Sequence, residues 1–202
     1  EPAGADRERL APAGLPRRGR PAILIFFGGG WTNGSIEQFR EQSEILASRG
    51  YVAITPEYRI ASKHGSTPFD SVADAKDALD WVTRHADEWD LDVARIAGAG
   101  GSAGGHLALC AAMLKDGRHD AREAYRIPKA LVLWNPVCDT SGRGFGSERL
   151  GDRPLDISPM HHVEPGLPPA LLFHGTADQT VPYEAARRFR DRMAACGNDC
   201  RL

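Results

Sequence analysis

Gly100-Gly101-Ser102-Ala103-Gly104 places a serine in the pattern G-x-S-x-G, and the pattern has a chemical meaning. A serine hydroxyl is a weak nucleophile, so chains that use one set it on a strained strand-to-helix turn with its Oγ exposed above a parallel sheet. The flanking residues fit that turn. Arg95 to Leu109 reads R-I-A-G-A-G-G-S-A-G-G-H-L-A-L, a short apolar strand at Ile96 and Ala97, a glycine-dense turn and a small-residue helix from Ala103. Glycine suits the turn because positive φ is cheap only without a Cβ. A dinucleotide-binding turn would need G-x-G-x-x-G, and Gly98-Ala99-Gly100-Gly101-Ser102-Ala103 fails at the last glycine.

A nucleophilic serine needs a base to take its proton, an acid to orient that base, and N–H donors for the oxyanion that forms. The donors are the easiest to find. Phe27-Gly28-Gly29-Gly30-Trp31 follows a continuous apolar run, so its glycine N–H groups lie at the C-terminal end of a strand and can approach a substrate closely. Ala103 N–H, directly after the serine, supplies another. Gly-Gly-Gly alone is a weak signal, but two such loops, each ending its own strand, form a strong pair.

The elements that must position these loops are legible in outline. Ala22 to Phe27 is apolar throughout, as a strand buried on both faces requires, and Tyr51 to Thr55, Ala130 to Trp134 and Ala170 to His174 repeat the pattern. Between them run helical patterns. Ser35 and Gln38 make an S-x-x-Q capping box before a helix over Ile36 to Arg49. Thr67-Pro68 opens a long helix in which Phe69, Val72, Ala75, Leu79, Val82 and Ala86 share a face. Val181 to Cys196 is a third. Five strands alternating with helices imply an α/β fold, a three-layer α/β/α sandwich on a mostly parallel sheet. Glu1 to Arg20, rich in Pro, Gly and Arg, reads as a loop or disordered lead-in, leaving residues 21–202 as the domain. Gly117 to Pro128 reads as a polar connection.

Composition excludes more than it assigns. The 202 residues carry 25 Lys and Arg against 27 Asp and Glu, a net charge of −2, so nothing points to nucleic acid or an anionic membrane. No apolar run is long enough to span a bilayer. Cys110, Cys138, Cys196 and Cys200 fit no metal spacing; Cys196 and Cys200 read as plain thiols, or as a pair if the chain is exported. No cofactor motif is present.

The chain resembles the α/β-hydrolase superfamily in its esterase/lipase branch, which takes in hormone-sensitive-lipase-like, feruloyl-esterase-like and acetyl-esterase-like carboxylesterases. The resemblance is carried by F-F-G-G-G-W (26–31), E-Y-R (57–59), T-P-F-D-S-V-A-D-A (67–75), G-G-S-A-G-G-H-L (100–107), L-W-N-P-V (133–137) and H-G-T-A-D-Q-T-V-P (174–182). It implies Ser102 as nucleophile, Asp178 rather than Asp139 as the acid, and Gly29, Gly30 and Ala103 as oxyanion donors, with no metal and no cofactor. It further implies a serine ester hydrolase acting on small or carbohydrate-linked acyl esters through an acyl-enzyme. Phe27 stands where many relatives carry the His of H-G-G-G.

One departure is larger. The family's basic histidine follows the acid, and Gln179 to Leu202 contains none. The antiparallel strands that open the family's sheet are also not visible before Pro21, nor is its last strand. Both ends read as cut, so this chain is expected to be nearly inactive, with bare sheet edges available for self-association. The rival reading is a non-catalytic ligand-binding protein on the same scaffold. The other histidines do not replace the base: His174 reads as structural, His161 and His162 as loop residues without a metal set, His106 as pointing away from the serine, and His64 as bordering the pocket. Arg59 leaves a buried strand and Asp74 falls between Val72 and Ala75 near the apolar stripe of the long helix, so the two are expected to form a buried or half-buried ion pair.

Overall fold

The computed structural model describes residues 8–10, 19–115 and 127–202. Most of the lead-in (1–7 and 11–18) and of the polar connection after Gly117 (116–126) thus lies outside the described residues. The elements are β1 (Glu8–Leu10), β2 (Arg20–Phe26), α1 (Arg40–Ser48), β3 (Val52–Thr55), α2 (Ala61–His64), α3 (Pro68–Arg84), β4 (Leu91–Gly101), α4 (Ala103–Met113), β5 (Ala130–Trp134), β6 (Ala170–Phe173), α5 (Tyr183–Ala195) and β7 (Cys200–Arg201). They form one sheet in the order β1-β3-β2-β4-β5-β6-β7, parallel throughout except for β1, which pairs antiparallel with β3.

This order decides where a site can form. From β2 the chain crosses one way to β3 and later the other way to β4, so β2 and β4 are neighbours on either side of a change in winding direction. A crevice opens beyond the C-terminal ends of two such strands. The Gly28 loop follows β2 and Ser102 follows β4, so the topology delivers both chemical loops to one crevice.

The α/β class and the parallel sheet stand as expected, with three corrections. The sheet has seven strands among the described residues, not five. Glu8–Leu10, in the expected lead-in loop, pairs with β3, and Cys200–Arg201 pairs with β6 where the sequence shows no last strand. Strands of three and two residues carry no periodicity, so only their backbone pairing reveals them. The edges expected to be bare, β3 and β6, therefore each have a neighbour. The open apolar surface lies instead on a sheet face: β6 alternates Ala170 and Leu172, buried, with Leu171 and Phe173, 39% and 49% exposed.

The third correction concerns the first helix. Ile36–Phe39 is a 3-10 turn running into α1, and Ser35 makes no side-chain cap. Gln38 is engaged elsewhere, as described below. By contrast α3 is capped at both partners' side chains, Thr67 accepting from Asp70 N–H and Asp70 from Thr67 N–H, with Pro68 behind the cap. Its stripe of Val72, Ala75, Leu79 and Val82 is buried. Arg59 and Asp74 do pair: Arg59 Nη2 lies 2.7 Å from Asp74 Oδ1, and Arg59 N–H donates to the same carboxylate at 2.8 Å. No helix of the described residues is long and apolar enough to cross a membrane.

Candidate active site

The site begins with two strands that must touch. β2 and β4 run side by side in register from Ala22↔Ile96 to Phe26↔Gly100, and α4 leaves β4 immediately to pack back across both. Every residue of α4 is buried, as its composition without a polar stripe requires. The approach is so close that a Cβ on Gly104 would come within 2.0 Å of the Phe26 carbonyl oxygen. Only glycine fits there.

Between strand and helix, Ser102 takes φ 52° and ψ −118°, a conformation uncommon for any residue with a Cβ. Its backbone holds it there: Ser102 N–H donates to Trp134 O at 2.9 Å, and its carbonyl accepts from His106 N–H and Val137 N–H. No side chain among the described residues hydrogen-bonds its hydroxyl. Ala103, as the first residue of α4, has an N–H without an intrahelical acceptor.

The glycine loop lies against this turn. A Cβ on Gly28 would meet the Ser102 Cβ at 3.3 Å and the Gly101 carbonyl at 2.9 Å. The Phe27–Gly28 peptide is pinned at both ends, Tyr58 Oη donating to Phe27 O at 2.7 Å and Gly28 N–H donating to Gln38 Oε1 at 2.5 Å. This is why Gln38 caps no helix. The Gly29 carbonyl accepts from Thr32 N–H and Asn33 N–H at 3.1 and 3.0 Å. Because C=O and N–H of one peptide point in opposite directions, tying that carbonyl aims Gly30 N–H the other way. Neither Gly29 N–H nor Gly30 N–H meets an acceptor among the described residues.

Asp178 sits in the turn after β6, as its H-G-T-A-D context suggested. Its Oδ1 accepts from Thr180 N–H at 2.8 Å and Val181 N–H at 2.9 Å, while Oδ2 lies 3.5 Å from His174 Nε2. Partial burial works against its charge, but the Val181 and Thr180 N–H groups and nearby His174 outweigh it and hold the carboxyl below the usual carboxylate range. His174 is itself buried, with Nε2 donating to Val181 O at 2.9 Å. It braces the Asp178 turn. Asp139, the other aspartate after a strand, is buried and committed: it takes Ser141 N–H at 2.9 Å and Arg188 Nη2 at 3.3 Å.

His106, His161, His162 and His64 each have a partner other than the Ser102 hydroxyl. His106 is fully buried, its Nε2 donating to Ile157 O at 2.7 Å, and that burial pulls its pKa down to about 4. His161 Nδ1 meets Ser158 Oγ, His162 Nε2 meets Leu155 O, and His64 Nδ1 stays with the Ile60 backbone at its own helix. No group of three or more His, Cys, Asp or Glu among the described residues could hold a metal ion. Two contributors escaped sequence reading. Gln38 was assigned to a cap, and Arg149, in the polar insertion after β5, reaches the Gly30 carbonyl from 119 positions away. An arginine in a polar loop carries no signal of such a contact. A separate cavity, lined by the middle of α3, the end of α4 and the segments before β5 and β6, lies at the N-terminal ends of those strands.

Comparison with known proteins identifies the family. The BD-FAE family model matches residues 12–143. Esterase LipC of Mycobacterium tuberculosis is 28% identical across 90% of this chain and 50% of its own length. The probable carboxylic ester hydrolase LipM of the same organism is 31% identical across 86% of this chain and 44% of its own. Among solved structures, the thermophilic esterase Est2 of Thermogutta terrifontis with butyrate bound superposes with a TM-score of 0.88 at 43% identity, over 97% of this chain and 76% of that one. The chain thus spans about half the length of the curated relatives it matches. On the family match and these likenesses, the chain belongs to the BD-FAE family, within the esterase/lipase branch of the α/β-hydrolases.

Proposed function

We propose that this chain carries the nucleophile, the oxyanion hole and the acid of a carboxylic ester hydrolase for small or carbohydrate-linked acyl esters, working through an acyl-enzyme. The observation that supports the reading is the close packing of the Gly28 loop against Ser102, which sits at φ 52°; the N–H groups of Gly29, Gly30 and Ala103 are the proposed oxyanion donors. Relatives named as esterases, one of them holding butyrate, support a short acyl group.

In this mechanism Ser102 Oγ attacks the ester carbonyl and gives its proton to a histidine base. The carbonyl oxygen takes up the electron pair, and the three N–H groups hold it in place of water. Collapse of this intermediate expels the alcohol, which takes the proton from the histidine. Water then repeats the sequence on the acyl-serine and releases the acid. Asp178 orients the base through Oδ2, its Oδ1 being occupied by the turn. No histidine lies between Gln179 and Leu202, so residues 1–202 alone should show little turnover. Loss of a triad member leaves a residual on the order of 10³ to 10⁴ over water.

The test compares residues 1–202 with the full-length gene product on 4-nitrophenyl butyrate, each with a Ser102→Ala control. We expect turnover only in the full-length product, and only with Ser102. Equal turnover by the two would mean that the base lies within this chain. No Ser102-dependent turnover in either would favour the non-catalytic binding reading, which the unpartnered Ser102 hydroxyl also fits. Self-association through the sheet edges belongs to the same proposal in weakened form, since β1 and β7 now terminate the sheet; a monomeric size-exclusion profile at micromolar concentration would reject it.

A further inference from the structure

Four of the five peptides from Phe27–Gly28 to Trp31–Thr32 have anchors, and three of them are held by residues within 31 positions of their partners. Tyr58 and Gln38 hold the Phe27–Gly28 peptide, Thr32 and Asn33 hold the Gly29 carbonyl, and Ala61 N–H holds the Trp31 carbonyl at 2.9 Å. The Gly30 carbonyl differs. It accepts from Thr32 Oγ1 at 3.2 Å and, at 2.5 Å, from Arg149 Nη1 on the insertion between β5 and β6.

That peptide has a reason to move. Gly30 and Trp31 both sit at positive φ, 61° and 59°. Glycine adopts this freely, but a bulky side chain is strained there and stays only where the surroundings enforce it. Rotating the Gly30–Trp31 peptide changes Gly30 ψ and Trp31 φ together, so it is the motion that would relax Trp31. The same rotation swings the Gly30 carbonyl off Arg149.

Arg149 is well placed to resist it. Its guanidinium lies 5.4 Å over the Phe145 ring and its Nε is 3.3 Å from Glu148 Oε1. Phe145 packs on Trp31 at 5.9 Å, so the insertion grips the tryptophan ring and the carbonyl before it together. A planar guanidinium held on two sides donates in a fixed direction, which a flexible ammonium does less well.

We propose that Arg149 is a positioning residue for the oxyanion hole: by pinning the Gly30–Trp31 peptide it keeps Trp31 in its strained conformation and fixes the C-terminal end of the loop whose Gly29 and Gly30 N–H groups are the proposed donors. The inference rests on the esterase reading above. It requires the loss of Arg149 to appear in kcat, because the oxyanion exists only after attack, with KM little changed.

The test is steady-state hydrolysis of the uncharged 4-nitrophenyl butyrate by the full-length gene product. Removing a donor outright costs on the order of 10²- to 10³-fold in kcat, so misaligning donors through Arg149→Met should cost about tenfold, with KM within about twofold. Arg149→Lys should recover part of the loss. Arg153→Met, which removes an exposed arginine paired with Asp156 in the same insertion, should leave both constants unchanged. If Arg149→Met does not fold, Arg149→Lys carries the test with a loss of about two- to fivefold in kcat. An unchanged kcat in the variant measured, a loss confined to KM, or an equal loss in Arg153→Met would overturn the proposal while Ser102-dependent activity persists. Disappearance of that dependence in the parent would instead reject the esterase reading.

Discussion

The nucleophile half of this molecule and its acid half are built differently, although both hang on strands of one parallel sheet. Around Ser102, β4 has strands on both sides and α4 pressed against it so closely that backbone meets backbone at Gly104. Around Asp178, β6 is flanked by the two-residue β7, one of its faces is open at Leu171 and Phe173, and the carboxylate is held by a turn of its own. The first half gets its geometry from packing that tolerates no added atom. The second gets it from local hydrogen bonds that a short segment can make unaided.

The same substitution in the two halves should separate them most. In Gly104→Ala the new methyl would fall 2.0 Å and 2.4 Å from the Phe26 and Phe27 carbonyl oxygens, and neither backbone can yield. We expect a loss of more than about 4 kcal/mol, seen as failure to give a folded product in urea titrations. Gly175→Ala, beside the acid turn, meets nothing within 4 Å and should shift the midpoint by less than about 0.5 kcal/mol. A similar cost for both would erase the distinction.

Phenylalanines make the next contrast. Phe189, on the buried stripe of α5, is fully enclosed, and Phe189→Ala should cost about 3–5 kcal/mol. Phe173, on the open face of β6 and 49% exposed, should cost under about 1 kcal/mol on the same change. Denaturation midpoints of the two variants check this directly.

Acid should unfold the protein through the nucleophile half first. Once unfolded, His106 takes up a proton near pH 6.5, but in the fold burial lowers its pKa to about 4. Between these values the unfolded state binds more protons, so stability falls as pH drops from 6.5 to about 4, by up to about 3 kcal/mol. Asp178, held below the usual carboxylate range, contributes stability above that range and loses it only at lower pH. Melting temperature against pH should therefore flatten above pH 4 in His106→Gln and change only in the most acidic limb in Asp178→Asn. A His106→Gln profile parallel to that of the parent would count against the assignment.

The smallest effect is expected at the Arg59–Asp74 pair. The Arg59 side chain is 47% exposed, so the charge interaction contributes at most about 1 kcal/mol. Asp74→Asn keeps an acceptor for Arg59 N–H and should cost less than Asp74→Ala, as paired melting curves will show.

Residue type and order by themselves determined the α/β class, the two glycine-lined loops, Ser102 in the second of them, the Asp178 turn and the Arg59–Asp74 pair. Those features depend on contacts among near neighbours or on apolar runs, and both leave a mark in a linear chain. Tertiary structure alone decided the rest. β1 and β7 are too short for periodicity and exist only through pairing. Gln38 reads as a cap until Gly28 N–H is placed beside it, and the open apolar face of β6 depends on which helices lie above it. Arg149 joins the site across 119 positions because the insertion folds back over Trp31. For Gln38 and Arg149 the physical reason is the same: a backbone N–H or C=O has no sequence identity, so a side chain's choice of one as its partner cannot be read before the chain is folded.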